Sequence, residues 1–101
     1  MTTTPSKTSS FVEATFYSRV SKELVVRNIW LPTGVSGRHY KMHMVCGDYA
    51  FDNGFTHWIS YDQGTDSWAI FACIGRAGRE FVRDFPTRGA AEMWLVHCVG
   101  N

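Results

Sequence analysis

A chain of 101 residues, 45% of them hydrophobic, has the size and composition of one globular domain with a modest core. It lacks both a run of about eighteen apolar residues and a secretory signal pattern, so we expect a cytoplasmic protein without a membrane-spanning helix. Three cysteines without paired spacing, Cys46, Cys73 and Cys98, favour free thiols over a disulfide framework.

The aromatic residues and the charges are distributed unevenly. Aromatic residues make up 15% of the chain, so they either fill a thin core or are partly exposed, as Trp and Tyr often are at binding surfaces. The net charge is +1, yet the segment 42–75 has four aspartates and no lysine or arginine. That segment therefore carries −4 and the remainder +5, a polarity that would give the folded protein one acidic edge.

The first half of the chain predicts an N-terminal arm followed by strands. Met1–Ser10 is rich in Thr and Ser and is expected to be disordered, leaving 11–101 as the single folded domain. Phe11–Arg19 and Glu23–Trp30 read as two strands, although 18–28 could also begin as a helical turn. A loop is expected at 31–37 because it contains Pro, Gly and Ser.

Two further strands are predicted around the strongest turn signal in the chain. In Arg38–Cys46, apolar and polar residues alternate, which is typical of a half-buried strand. Asn53-Gly54 predicts a two-residue hairpin turn, because both residues tolerate positive φ. Thr56–Asp62 would be the returning strand, and Asp62–Asp66 turns the chain again.

The C-terminal third predicts two strands and a closing helix. Trp68–Ile74 is uncharged and reads as a central strand, and Glu80–Phe85 can pair back after a turn at Gly75–Gly78. Thr87 is the expected N-cap of a helix. The helix would bury one stripe formed by Ala91, Trp94, Leu95 and Cys98. The predicted fold is α+β, an antiparallel meander sheet of four to six strands with the C-terminal helix packed on one face.

No set of residues predicts catalysis or a cofactor. The metal-ligand types His39, His43, Cys46 and His57 match no structural zinc spacing, and Cys46 has the opposite parity to the two histidines before it. His97 and Cys98 are adjacent on the helix and point about 100° apart, so they do not form a nucleophile and base pair. A zinc or thiol enzyme is therefore disfavoured, and we expect a non-enzymatic protein without cofactor or metal.

Two surfaces are candidates for partner binding. The first is an acidic aromatic region around the Asn53-Gly54 turn that would suit a protein with a basic surface. The alternative is a strip of arginines that would bind nucleic acid. The acidic region comprises Asp48, Tyr49, Phe51, Asp52, Phe55, Asp62 and Asp66, and the strip comprises Arg76, Arg79, Arg83 and Arg88. The sequence leaves open whether the protein is a monomer or a homodimer.

The segment Arg83-Asp84-Phe85-Pro86-Thr87, followed by Glu92, Trp94 and Leu95, resembles the closing strand and helix of small phage-encoded anti-CRISPR inhibitors of the α+β kind. The resemblance covers about eighteen residues. It implies a non-enzymatic inhibitor in the host cytoplasm that coats part of a CRISPR surveillance complex and blocks its DNA binding.

Overall fold

The computed structural model describes residues 9–32, 38–75 and 78–101. Over these residues the chain forms one five-stranded antiparallel sheet and two helices. The strands are β1 (Ser9–Ser18), β2 (Glu23–Pro32), β3 (His57–Asp62), β4 (Ser67–Cys73) and β5 (Arg79–Phe85). The helices are α1 (Arg38–Asp52) and α2 (Arg88–Trp94), and α2 continues as a π-helical segment, Leu95–Val99.

The predicted fold class is confirmed, since an antiparallel sheet of five strands carries a C-terminal helix on one face. The strand order is β2-β1-β3-β4-β5, and α1 connects β2 to β3 across β1. β1 begins at Ser9, inside the predicted arm, whose residues 1–8 lie outside the described part of the chain. Most of the predicted loop at 31–37 lies outside it as well. Neither described helix has the length and apolarity needed to cross a bilayer.

The predicted strand at Arg38–Cys46 is wrong, because these residues begin helix α1. The buried apolar side chains of this helix include Met42, Cys46 and Ala50, and their spacing of four places them on one helical face. Val45 and Tyr49 widen the stripe. Since a spacing of four fits both a strand and a helix, the alternation read over nine residues did not distinguish them.

The predicted hairpin at Asn53-Gly54 is also wrong, because these two residues end α1. Gly54 has φ +77°, the left-handed conformation with which glycine often terminates a helix. The Phe55 amide donates to the carbonyl of Ala50 at 2.8 Å, and the Asn53 side chain donates to that of Tyr49 at 2.9 Å. The positive φ expected from the sequence is therefore present at Gly54, but at a helix end.

The two helices cover opposite faces of the sheet. Trp58 of β3 is fully buried against the α1 side, together with Phe16 of β1. Its neighbour Ile59 is buried on the other side, together with Leu95 of the π-helical segment. β3 is thus central and apolar on both faces, as strands covered on both sides are.

Helix α2 begins where the sequence predicts, but the end of the helical region differs from the prediction. Thr87 is the N-cap as predicted, and its hydroxyl accepts a hydrogen bond from the Ala90 amide at 3.1 Å. Cys98, predicted in the buried stripe, is exposed. The π-helical i→i+5 bonding, seen from Gly100 N to Leu95 O, adds one residue to the turn. Val99 therefore contacts the core in place of Cys98.

Candidate partner-binding groove

An open groove of about 730 Å³ runs along the outer side of α2. Its lining is mostly apolar and comes from the end of β5, from α2 and from the π-helical segment. The lining residues include Phe85, Ala90, Glu92, Met93, Trp94 and His97. An exposed, mostly apolar surface bordered by polar groups is typical of a protein-interaction site.

The helical period explains why the groove is lined by side chains on the side of α2 that faces away from the sheet. Ala91 and Leu95 point into the sheet and are fully buried. Met93 lies two residues from each, about 200° around the helix, and is 60% exposed. Trp94 lies at the boundary, half-buried against Phe85 with ring centroids 6.2 Å apart.

A bulge in β5 places Arg83 beside the groove. The β4–β5 register pairs Ile70 with Arg83 but Phe71 with Phe81, so β5 carries one extra residue. Arg83 consequently lies on the α2 side of the sheet. Its guanidinium stands 5.1 Å from the ring centroid of Phe85 and 5.7 Å from that of Trp94. Cation–π contacts of this kind hold a guanidinium in place.

Two arginines lie beside the groove, and one of them, Arg88, is paired with carboxylates. Glu92 lines the groove but is ion-paired with Arg88, four residues before it on α2. Arg88 also pairs with Glu13 of β1, and the hydrogen bond to Glu13 is the main cause that raises the pKa of Arg88. Within the described residues, Arg83 has no carboxylate within 4 Å.

The predicted arginine strip is divided between the two faces. Arg76 lies outside the described residues. Arg83 and Arg88 lie on the α2 side, where Arg88 is ion-paired. Arg79 points to the α1 side, forms an ion pair with Asp48 and is largely buried. The strip therefore does not form one continuous cationic surface.

The predicted acidic aromatic residues occupy two separate places. Tyr49 and Phe55 stack around the buried Phe16, with ring centroids 4.9 and 5.5 Å from it. They belong to the core on the α1 side. Phe51 and Asp52 are exposed at the end of α1. This end of α1 leads into the start of β3.

Asp62 and Asp66 lie at the other end of β3. Asp62 closes β3 and accepts a hydrogen bond from the Gly64 amide at 2.9 Å. Asp66 accepts one from the Tyr61 hydroxyl at 2.6 Å, which is the main cause that raises the pKa of Tyr61. β3 spans six residues, so roughly 17 Å of strand separates this turn from the end of α1. The seven predicted residues therefore do not meet at one tip.

The histidines and the cysteine considered as metal ligands also lie in different parts of the structure. Cys46 is buried on the sheet-facing side of α1, and burial raises the pKa of its thiol to about 12. His57 opens β3, where its Nδ1 lies 2.9 Å from the Thr56 hydroxyl. The side chain of His39 is outside the described part. In the portion of the chain that the structure describes, no three His, Cys, Asp or Glu side chains come close enough to hold a metal ion.

Compared with protein-family models, curated proteins and solved structures, the chain matches none of them.

Neither Met93 nor His97 was among the binding residues predicted from the sequence. Both lie on the outer side of a helix whose inner side was correctly placed at Ala91 and Leu95. An apolar Met on the solvent side of an amphipathic helix was the available signal for Met93. The position of Arg83 depends on the β5 bulge, which alternation along the strand does not reveal.

Proposed function

We propose that this protein is a non-enzymatic protein-binding module whose groove beside α2 holds an apolar partner segment that carries a carboxylate. One observation carries the proposal: the guanidinium of Arg83, which has no carboxylate within 4 Å among the described residues, stands against the half-buried rings of Phe85 and Trp94. These rings line the groove together with the exposed Met93. Apolar contact area thus lines a shallow groove, and a positioned cation stands against two of the rings that line it. Aromatic and arginine side chains dominate the binding energy of many protein interfaces.

Positioning of these side chains before binding supports the same proposal. Trp94 is held by Phe85, and Arg83 is held over both rings, so both lose little conformational freedom when a partner binds. The guanidinium presents a planar set of donors that suits a carboxylate. Met93 adds an adaptable apolar side chain at the outer wall.

Within this class, we propose an inhibitor that blocks nucleic-acid binding by a host complex, as the resemblance to anti-CRISPR proteins implies. The support is that Arg83, Phe85 and Trp94, which belong to the resembling segment, are also residues of the groove and its rim. A plasmid-interference assay tests this proposal in cells that carry an active CRISPR system. Expression of the chain should restore plasmid survival, and Met93→Asp should abolish the effect.

The binding experiment is affinity capture from an extract of the producing cell. Wild-type chain should capture a partner, whereas Arg83→Ala and Met93→Asp should lose it while keeping the wild-type melting temperature. Met44→Asp is the matched control, since Met44 is also exposed but lies on α1, on the other face. Capture that is equal in all four proteins would exclude the groove as the binding surface.

The predicted acidic surface is tested by the same capture. Asp52→Lys combined with Asp62→Lys reverses two of the predicted acidic positions without altering a fully buried residue. We propose the groove as the binding surface, so this double variant should capture the partner as wild type does. Loss of capture only in the double variant would assign binding to the acidic residues, because their carboxylates would then steer the encounter.

The alternative function, nucleic-acid binding, has one observation in its favour. Arg83 and the partly exposed Trp94 together offer a cation and a ring on which a base can stack. The pairing of Arg79 with Asp48, and of Arg88 with two glutamates, weakens this alternative. Salt-sensitive retention of DNA or RNA that is lost in Arg83→Ala would favour it over the protein partner.

A further inference from the structure

The two edges of the sheet differ in how well they are protected against pairing. β5 forms one edge; it has a bulge and four charged side chains in seven residues. β2 forms the other edge, and its ten residues pair with β1 in an unbroken register. No described strand covers its outer side. Bulges and charges normally prevent association at sheet edges, so β2 is the less protected edge.

A second copy of the same chain can pair with this edge only in a restricted set of registers. Antiparallel pairing of two identical edge strands places a two-fold axis perpendicular to the sheet. Opposed residues point to the same face of the sheet, so an even-numbered residue faces an even-numbered residue of the partner and an odd-numbered one faces an odd-numbered one. One residue, at the axis, faces its own copy. Choosing that central residue fixes every other pair.

The register centred on Val25 matches both charge and hydrophobicity. It places Glu23 opposite the partner's Arg27 and, by symmetry, Arg27 opposite the partner's Glu23. Leu24 then faces the partner's Val26, and Val25 faces its copy. Glu23 and Arg27 are both exposed, and among the described residues the Arg27 guanidinium donates a hydrogen bond to the carbonyl of the adjacent Val26 and forms no ion pair. Opposite charges directly across two strands stabilise their pairing.

The neighbouring registers lack this match. Centring on Val26 places the charged Arg27 opposite the partner's Val25. Centring on Arg27 places two arginines directly opposite each other, which is destabilising. Charge complementarity within β2 therefore selects one register.

The same register accounts for two of the most exposed apolar side chains. Val20, in the turn before β2, is 87% exposed, and Trp30 near the end of β2 is 52% exposed. Val20 precedes Val25 by as many residues as Trp30 follows it, so antiparallel pairing centred on Val25 places Val20 opposite the partner's Trp30. Each turn would thus approach the partner's Trp30, which already makes an edge-to-face contact with Phe11, with ring centroids 4.4 Å apart.

We propose that β2 binds β2 of a second copy, centred on Val25, and forms a ten-stranded sheet in a homodimer. Five paired residues and two turn contacts make a small interface, below the roughly 1,200 Å² of a stable complex, so the dimer dissociates on dilution. The groove beside α2 lies outside this interface.

Charge reversal tests this register in the full chain by analytical ultracentrifugation at about 1 to 300 µM, a range suited to a weak interface. Wild type should show a monomer–dimer equilibrium. Glu23→Arg alone and Arg27→Glu alone should each weaken it by at least about tenfold, because like charges then face each other. The double variant E23R/R27E should dimerise as wild type does.

Mixing the two single charge-reversal variants gives the strongest test of the proposed register. The chain with Glu23→Arg and the chain with Arg27→Glu should form a heterodimer, although neither dimerises well alone. Glu80→Arg is the matched control, since it makes the same charge change on the β5 edge and should leave dimerisation unaltered. A monomer at every concentration, or dimerisation that no β2 charge reversal affects, would overturn the proposal. Either result would leave partner capture by the groove unaffected.

Discussion

Arg79 crosses helix α1 directly over Gly47. Its Nε donates to the carbonyl of His43 at 3.0 Å, and its Nη2 donates to that of Met44 at 3.0 Å and to the Asp48 carboxylate. A Cβ atom on Gly47 would overlap the guanidinium, whose Cζ lies 2.7 Å from that position. The missing side chain of Gly47 therefore lets β5 bind the middle of α1.

Gly47→Ala should destabilise the protein by about 1 to 3 kcal/mol. The substitution displaces the guanidinium of Arg79 and its charge-assisted hydrogen bonds, and this loss exceeds the gain of up to about 1 kcal/mol in helix propensity. Urea unfolding measures the change. Gly89→Ala on α2 is the matched control, because no atom lies within 4 Å of its Cβ position, and it should be neutral or stabilising. Stabilisation by both substitutions would contradict the role given to Arg79.

Leu95→Ala should cost about 2 to 5 kcal/mol, because it empties a fully buried site between the π-helical segment and the sheet. Met93→Ala, two residues earlier and largely exposed, should change stability by less than about 0.5 kcal/mol. Thermal and urea unfolding of both variants check the orientation of the helix. Equal losses at the two positions would mean that the helix presents a different face to the sheet.

Acidification should destabilise the protein through His57. Burial, and next the positive charge of Arg19, lower the pKa of His57 below its usual 6.5. Below about pH 6.5, His57 therefore binds a proton more readily in the unfolded chain than in the folded chain. The free energy of unfolding consequently decreases as the pH is lowered. Urea midpoints at about pH 7.5 and pH 5.5 measure the loss. His57→Gln should reduce this pH dependence, and an unchanged dependence would assign it to other groups.

The three thiols should react in the order of their exposure. Cys98 is exposed, Cys73 is half-buried, and burial raises the pKa of Cys46 to about 12. A thiol reagent at neutral pH should label Cys98 first and Cys46 only when the chain unfolds, since the thiolate is the reactive species. Cys98→Ser should remove the fast phase. A fast phase that persists in this variant would place Cys98 inside the core.

Residue composition and turn signals predicted most of the sheet, and local rules could not predict the position of α1. β3, β4 and β5 follow runs that the sequence marks clearly, and Thr87 caps α2 as its hydroxyl and position indicate. In α1, Met42 and Cys46 fit both a strand and a helix. The later positions Tyr49 and Ala50 decide for the helix, because together they fit only the 3.6-residue period.

The groove was less predictable than the fold. Trp94 could be placed on α2, but the exposure of Met93 depends on how the helix rotates against the sheet. The position of Arg83 depends on the bulge, and that of Val99 depends on the π-helical turn. The bulge and the π-helical turn each add one residue to a regular element, so periodic patterns in the sequence do not report them.

The short junction between β1 and β3 has a consequence for the order of folding. Only Thr15–Tyr17 pairs with β3, and Tyr17 meets His57 forty positions along the chain. The hairpins β1–β2 and β3–β4–β5 join residues close in sequence, so their closure costs less entropy. We expect these two ribbons to form early and to dock in a slower step that also requires α1, since non-local pairing limits folding rates. We therefore expect formation of the β1–β3 junction to limit the folding rate of this protein.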